Sequence, residues 1–236
     1  MRVGIISVFV DYHRRGRKNR LSLQPQIGPL IAGLLPADVE IEISNETFHD
    51  LDWSRDYDLL FISALHPDFD RARQISHYWR ARGARTVYGG AMASTYPDLC
   101  QPWFDAVVVG DPESTVPAVY RDFCAGTLKP RYHGPDYRPA QVPTPRFDLL
   151  VGKAHHPLCF EATRGCPFSC EFCVLSGLGT RHELRPVASV IRDIVAGQRM
   201  LEGRVPRFKT RIVGFSDNNI GGNPSYLREQ IGRAHV

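Results

Sequence analysis

Five short runs rich in Val, Ile and other apolar residues punctuate the first 110 residues: Arg2–Val10, Val39–Ile43, Asp58–Leu65, Thr86–Gly90 and Asp105–Gly110. Runs of this length, with little polar alternation, suit strands buried on both faces. Stretches of helical character lie between them. Pro25–Pro36 reads as a short helix. Asp68–Arg82 carries Ile75, Tyr78 and Trp79 at helical spacing before Gly83 stops it, and Ser114–Cys124 closes the series with Ser114 as the expected N-cap. Strands alternating with helices predict an α/β fold, a doubly wound parallel sheet over residues 1–126. Ligands of such sheets sit beyond the carboxyl ends of the strands. The segments Asp11–Gly16, Ser63–Leu65, Gly89–Gly90 and Gly110–Glu113 are therefore expected to share one edge. Gly89 and Gly90, lacking side chains, leave room there for a bulky ligand against the backbone.

Composition narrows the class. Of 236 residues, 43% are hydrophobic and 23% charged, as in an ordinary globular chain. No apolar stretch approaches the roughly 20 residues that span a bilayer. The N-terminus meets charge too early for a secretory signal, so no membrane span and a cytoplasmic location are expected. The net charge of +4 is too mild to imply nucleic acid by itself. The basic run Arg14–Arg20 keeps open a metal-bearing nucleic-acid-binding module. The absence of an aromatic-rich basic surface makes that partner unlikely. Residues 127–157 hold six prolines and read as an extended connector, with His155 and His156 as surface residues.

Cysteine spacing separates the second half from the first. Cys100, Cys124 and Cys159 are scattered, whereas Cys166, Cys170 and Cys173 share one eight-residue stretch, "CPFSCEFC". Such crowding points to a metal site more than to disulfides. Three thiolates on one loop can grip one face of a four-iron cluster and leave the fourth iron open. Zinc is the alternative; it needs a fourth ligand, and His182 is the near candidate. The loop lies between a strand-like stretch, Leu158–Thr163, and a helix-like one, Val187–Leu201. A second strand is expected at Arg211–Ser216.

Residues 158–236 resemble the start of the radical S-adenosylmethionine (radical SAM) superfamily barrel, on Cys166-x-x-x-Cys170-x-x-Cys173 with Phe172 before the last cysteine. That resemblance implies a partial (β/α) barrel and a [4Fe-4S] cluster on the three cysteines. S-adenosyl-L-methionine would chelate the open iron, with Phe172, Phe215, Ser216 and Asp217 near it. An electron from an external donor, passed through the cluster, would cleave the sulfonium to a 5′-deoxyadenosyl radical. Phe215, Ser216 and Asp217 stand where a Gly-Gly-Glu motif is common in the superfamily. The first 126 residues resemble the cobalamin-binding domain, on Asp11-x-His13-x-x-Gly16, Ser63-x-Leu65 and Gly89-Gly90 in order at matching strand ends. That resemblance implies cobalamin contacts from these residues and Gly110. His13 would be an axial cobalt ligand, a loop contact or a surface residue.

Together these resemblances imply a cobalamin-dependent radical SAM enzyme of the transferase class, methylating an unactivated centre of a small-molecule or lipid-like substrate. Ring rearrangement or cyclisation, and methylthiotransfer, are the alternative reactions. Two further expectations concern the chain's end. A barrel of this kind needs more βα units than follow residue 158, so the 236-residue chain is expected not to turn over alone. Ile231–Val236, "IGRAHV", matches a translated sequencing adapter, so it is expected to be non-native and the gene to continue.

Overall fold

The first strand, β1 (Arg2–Ser7), is buried over Val3–Ile6 and carries a second strand on each side. In this computed structural model, which describes residues 1–10, 25–134, 137–150, 158–177, 181–203 and 211–234, the remaining strands of that sheet are β2 (Glu40–Asn45), β3 (Leu59–Ser63), β4 (Arg85–Gly89), β5 (Ala106–Val109) and β6 (Arg131–His133). The order is β2-β1-β3-β4-β5-β6, and every pairing is parallel. The helices between them are α1 (Ile27–Gly33), α2 (Phe69–Ala81), α3 (Ala91–Thr95), α4 (Pro97–Cys100) and α5 (Pro112–Cys124). This is the expected doubly wound α/β sheet. Its strand order reverses at β1, so the crevice that serves ligands in such folds opens beyond the carboxyl ends of β1 and β3.

Ile6, Leu60, Ile62, Tyr88 and Val107 form the centre of one continuous apolar core with Ile75 and Trp79 of α2. Trp79 is almost wholly enclosed, and its indole N–H donates to the Arg55 carbonyl at 2.9 Å. A buried indole so satisfied contributes apolar area with no polar cost.

Two expectations in this region are corrected. Ser114 is not the N-cap of α5. The helix starts two residues earlier, with Asp111 in extended backbone at the cap (φ −83°, ψ 147°) and Pro112 in the first turn, where its fixed φ and missing N–H are tolerated. The Thr115 hydroxyl then donates to the Asp111 carbonyl at 2.9 Å. The proline-rich stretch is also not a bare connector. Arg131–His133 adds the sixth strand, paired with Val107–Val109. Tyr132 is buried and its hydroxyl donates to Asp122 at 3.0 Å. The first compact unit accordingly runs to Tyr137, and the second takes the chain from Arg138 onward together with Pro25 and Gln26 of the described residues.

In the second unit, Val142, Phe147 and Leu150 of the proline-rich stretch are buried. The Phe147 ring meets Phe160 edge-on at 5.4 Å. Short elements follow: β7 (Cys159–Phe160), β8 (Thr163–Arg164), α6 (Val174–Gly177), β9 (Glu183–Leu184), α7 (Val187–Leu201), β10 (Gly214–Phe215) and α8 (Pro224–Ala234). β7 and β10 pair in parallel across α7, while β8 and β9 form an antiparallel ladder. His155 and His156 lie outside the described residues. Among the described residues, no helix is long and apolar enough to cross a membrane.

Candidate functional site

At the carboxyl end of β7 the chain turns through Glu161 and Ala162 into β8 and then into the cysteine loop. Strands of two residues supply few ladder bonds, so side chains hold the turn. The Asp217 carboxylate, just past β10, accepts from the Ala162 N–H at 3.1 Å and from the Thr163 N–H. Ser216 donates through its backbone N–H to the Phe160 carbonyl at 2.9 Å. Its hydroxyl reaches the same carbonyl at 3.2 Å. Phe215 lies in β10 opposite Phe160. Of the expected SAM contacts, Ser216 and Asp217 are thus spent on fixing the end of β7, and Phe172 is 93% exposed.

Beneath the turn lies a buried ion pair that the sequence reading missed. Arg185 donates to Asp193 at 2.7 Å, with both side chains fully enclosed, and to the Glu161 carbonyl at 2.9 Å. The Tyr226 hydroxyl sits 2.6 Å from the Arg185 carbonyl and 2.9 Å from that of Ala162, and accepts from the Gln230 amide at 2.8 Å. Burial pushes the Tyr226 hydroxyl pKa up, so it stays a donor. A signal was present in the sequence: α7 buries Val187, Val190, Asp193, Ile194, Gly197, Met200 and Leu201. A carboxylate on that apolar face demands a cationic partner.

The loop opens at Gly165, whose φ is +79° and where a Cβ would stand 2.0 Å from the Arg181 carbonyl oxygen. Only glycine meets both conditions. Cys166 and Cys173 are half-buried and Cys170 is exposed; all six cysteines of the chain are free thiols. Cys170 and Cys173 share a turn closed by a backbone bond of 3.0 Å. The Asn219 side-chain amide donates to the Cys166 sulfur at 3.8 Å. The three soft donors match the three ligands that a four-iron cluster with one open iron requires. Among the described residues, however, no three His, Cys, Asp or Glu side chains converge closely enough to hold a metal ion. The donor chemistry fits a cluster or zinc. The Nε2 of His182 is buried and makes no hydrogen bond. Cys100 and Cys159 are enclosed, and burial raises the Cys100 thiol to about 11 and lifts the Cys159 thiol as well. Neither is presented for ligation.

In the first unit, Ser63 ends β3 beside Ser7 and Gly89, and Leu65 is exposed. Gly90 has φ +111°, and a Cβ there would lie 2.8 Å from the Ala64 carbonyl oxygen. The glycine is therefore required by the fold itself, without a ligand. Gly110, also at positive φ, donates its N–H to the Ser94 hydroxyl at 3.0 Å. Ser63, Leu65, Gly89, Gly90 and Gly110 all stand at the carboxyl ends of their strands, and exposed Phe9 follows β1. This edge combines small residues with exposed apolar side chains. Asp11, His13 and Gly16 lie outside the described residues.

Fold and loop together define a parallel α/β unit followed by a βαβ unit that carries three free thiols on the loop after its first strand. No protein-family model matches the chain. Among curated proteins it is 31% identical, over 212 residues, to bacteriochlorophyllide d C-8(2)-methyltransferase of Chlorobaculum tepidum, covering 86% of this chain and 47% of that protein. It is 26% identical to bacteriochlorophyllide d C-12(1)-methyltransferase of the same organism, over 74% of this chain and 39% of that one. It is 24% identical to hopanoid C-2 methylase of Rhodopseudomonas palustris, over 85% of this chain and 38% of that one. The chain thus spans half the length or less of these relatives.

Proposed function

We propose that the chain carries the cofactor-binding portion of a cobalamin-dependent radical SAM methyltransferase acting on a small-molecule or lipid-like substrate. The observation that carries this reading is the free thiol triplet on the loop that follows β7 and β8, in a chain similar to methyltransferases along most of its length. Cys166, Cys170 and Cys173 would hold a [4Fe-4S] cluster, and residues 158–236 would be the start of a partial barrel, with β7 and β10 as its first two strands. The cluster, once bound and supplied with an electron by an external donor, provides the reductive cleavage of S-adenosyl-L-methionine.

The protein's own contributions are positional. Asp217 and Ser216 hold the carboxyl end of β7, and the Arg185–Asp193 pair anchors the turn from below. Phe172, next to Cys173 and exposed, is available to pack on an adenine or methionyl group. Ser63, Leu65, Gly89, Gly90 and Gly110 would face cobalamin, with Asp11, His13 and Gly16 contributing from the loop after β1. The exposed cysteine loop needs water excluded around it for radical chemistry.

Anaerobic reconstitution tests this reading. The chain is expected to take up about four irons, with broad thiolate-to-iron absorbance, and to change its visible spectrum on adding cobalamin. Alanine at Cys166, Cys170 or Cys173 should abolish the iron-derived absorbance, whereas alanine at Cys124 should not. Stoichiometric zinc without iron uptake would refute the cluster and leave a structural metal module.

A further inference from the structure

Asn219 is held against the cysteine loop from several directions. Asp217, two residues earlier, is bonded to the backbone of Ala162 and Thr163. The turn Ile220–Gly222 closes through the Gly222 N–H to the Asn219 carbonyl at 3.2 Å. Gly222 itself lies so near the loop that a Cβ there would stand 2.8 Å from Pro167 Cγ and 3.0 Å from His182 Cε1. These constraints present the Asn219 amide to the Cys166 sulfur at 3.8 Å, a length suited to an N–H···S bond.

We infer that Asn219 is a positioning residue whose side-chain amide hydrogen-bonds the Cys166 sulfur and thereby raises the reduction potential of the cluster. This rests on the proposal that Cys166, Cys170 and Cys173 ligate that cluster. A metal-bound thiolate can only accept, so the amide must present its N–H. The donated bond draws charge from the sulfur and favours the more negative, one-electron-reduced cluster. The electron comes from an external one-electron donor, and no proton moves. The amide also fixes where Cys166 stands relative to the turn after β10.

The test is a redox titration of the reconstituted chain followed by electron paramagnetic resonance. Asn219→Leu keeps the volume of the side chain and removes the donor. At a fixed ambient potential near the midpoint it should lower the reduced-to-oxidised ratio about tenfold, equivalent to 59 mV for a one-electron couple. Asn218→Leu, at the exposed neighbour, should leave the midpoint unmoved. Pulsed resonance on wild-type protein labelled with 15N-asparagine should also reveal a nitrogen coupled to the reduced cluster. That measurement decides the matter if Asn219→Leu fails to hold iron. An unshifted midpoint in an iron-replete Asn219→Leu chain, or no 15N coupling in the wild type, overturns the role of Asn219 and leaves the cluster standing. Failure of the wild type to bind iron overturns both.

Discussion

The two units solve one problem, placing loops at the carboxyl ends of parallel strands, by opposite means. In the first, six strands of three to six residues stack apolar side chains into a single core. In the second, every strand among the described residues has two residues, and the loop is held by Asp217, Ser216, Arg185, Asp193 and Tyr226. Apolar packing tolerates change because many contacts share it. A buried polar network does not, because losing one member strands another in a medium that cannot solvate it.

The contrast can be broken most directly at Asp193. Asp193→Ala leaves the Arg185 charge buried and unpaired, at an expected cost of about 3–5 kcal/mol. Trp53, Trp79 and Trp103 all lie in the first unit, so tryptophan fluorescence is blind to this loss. Hydrogen exchange should report it as faster labelling of residues 158–201. The double variant Arg185→Met with Asp193→Leu should recover most of the protection, since no buried charge is then orphaned; Arg192, which also meets Asp193 at 2.9 Å, is half-exposed. A single variant as protected as the wild type would mean the pair is not what holds the loop. In the first unit, Leu60→Ala should cost about 2–5 kcal/mol, read from the fluorescence midpoint in denaturant.

The same contrast explains what the sequence could disclose. Strands β1, β3 and β5 are legible because local runs such as Leu59–Ile62 are apolar without interruption. Even so, β1 stops at Ser7, where its pairing with Ser63 ends, and not at Val10. β6 is hidden among prolines, and only its pairing with β5 makes Arg131–His133 a strand. α7 is read correctly from Val187 to Leu201 because its apolar face repeats at helical spacing. The three cysteines are legible as a set, but the groups that position them are not. Asp217 bonds residues 54 and 55 positions away, and no local pattern announces such a contact. At Gly90 the backbone alone, at φ +111° and close to Ala64, requires glycine whether or not a ligand lies against it.

Glycine substitutions sharpen the comparison at intermediate size. Gly110 and Gly165 both have positive φ, but a Cβ at Gly110 meets nothing within 4 Å while one at Gly165 would collide with the Arg181 carbonyl. Gly110→Ala should therefore cost only the left-handed strain, roughly 1–2 kcal/mol. Gly165→Ala should cost more, because the ladder between Thr163–Arg164 and Glu183–Leu184 must shift as well. Hydrogen exchange around each site, in residues 106–113 for Gly110→Ala and in residues 163–185 for Gly165→Ala, is the measurement. Equal effects of the two substitutions would mean that the loop yields at no cost.

The smallest effect concerns a buried carboxylate in the apolar unit, where the rule of paired charges is bent. Asp68, 5% exposed at the start of α2, accepts from the Val10 N–H at 3.0 Å. Burial raises its pKa above the ordinary carboxylate value; the Val10 bond opposes the rise and the Glu46 charge adds to it. A carboxyl group with a raised folded pKa binds its proton more tightly in the folded state. Its contribution to stability is thus complete below the unfolded value, about 3.9, and is lost as pH rises through the folded value. Asn in this place keeps an oxygen for Val10 and carries no charge. Asp68→Asn is therefore expected to be more stable than the wild type at pH 7, with the difference shrinking on acidification toward pH 4. Denaturant midpoints read by tryptophan fluorescence at both pH values check this. A variant less stable than the wild type at pH 7 would mean that the positive end of α2 and the Val10 N–H favour the anion more than burial disfavours it.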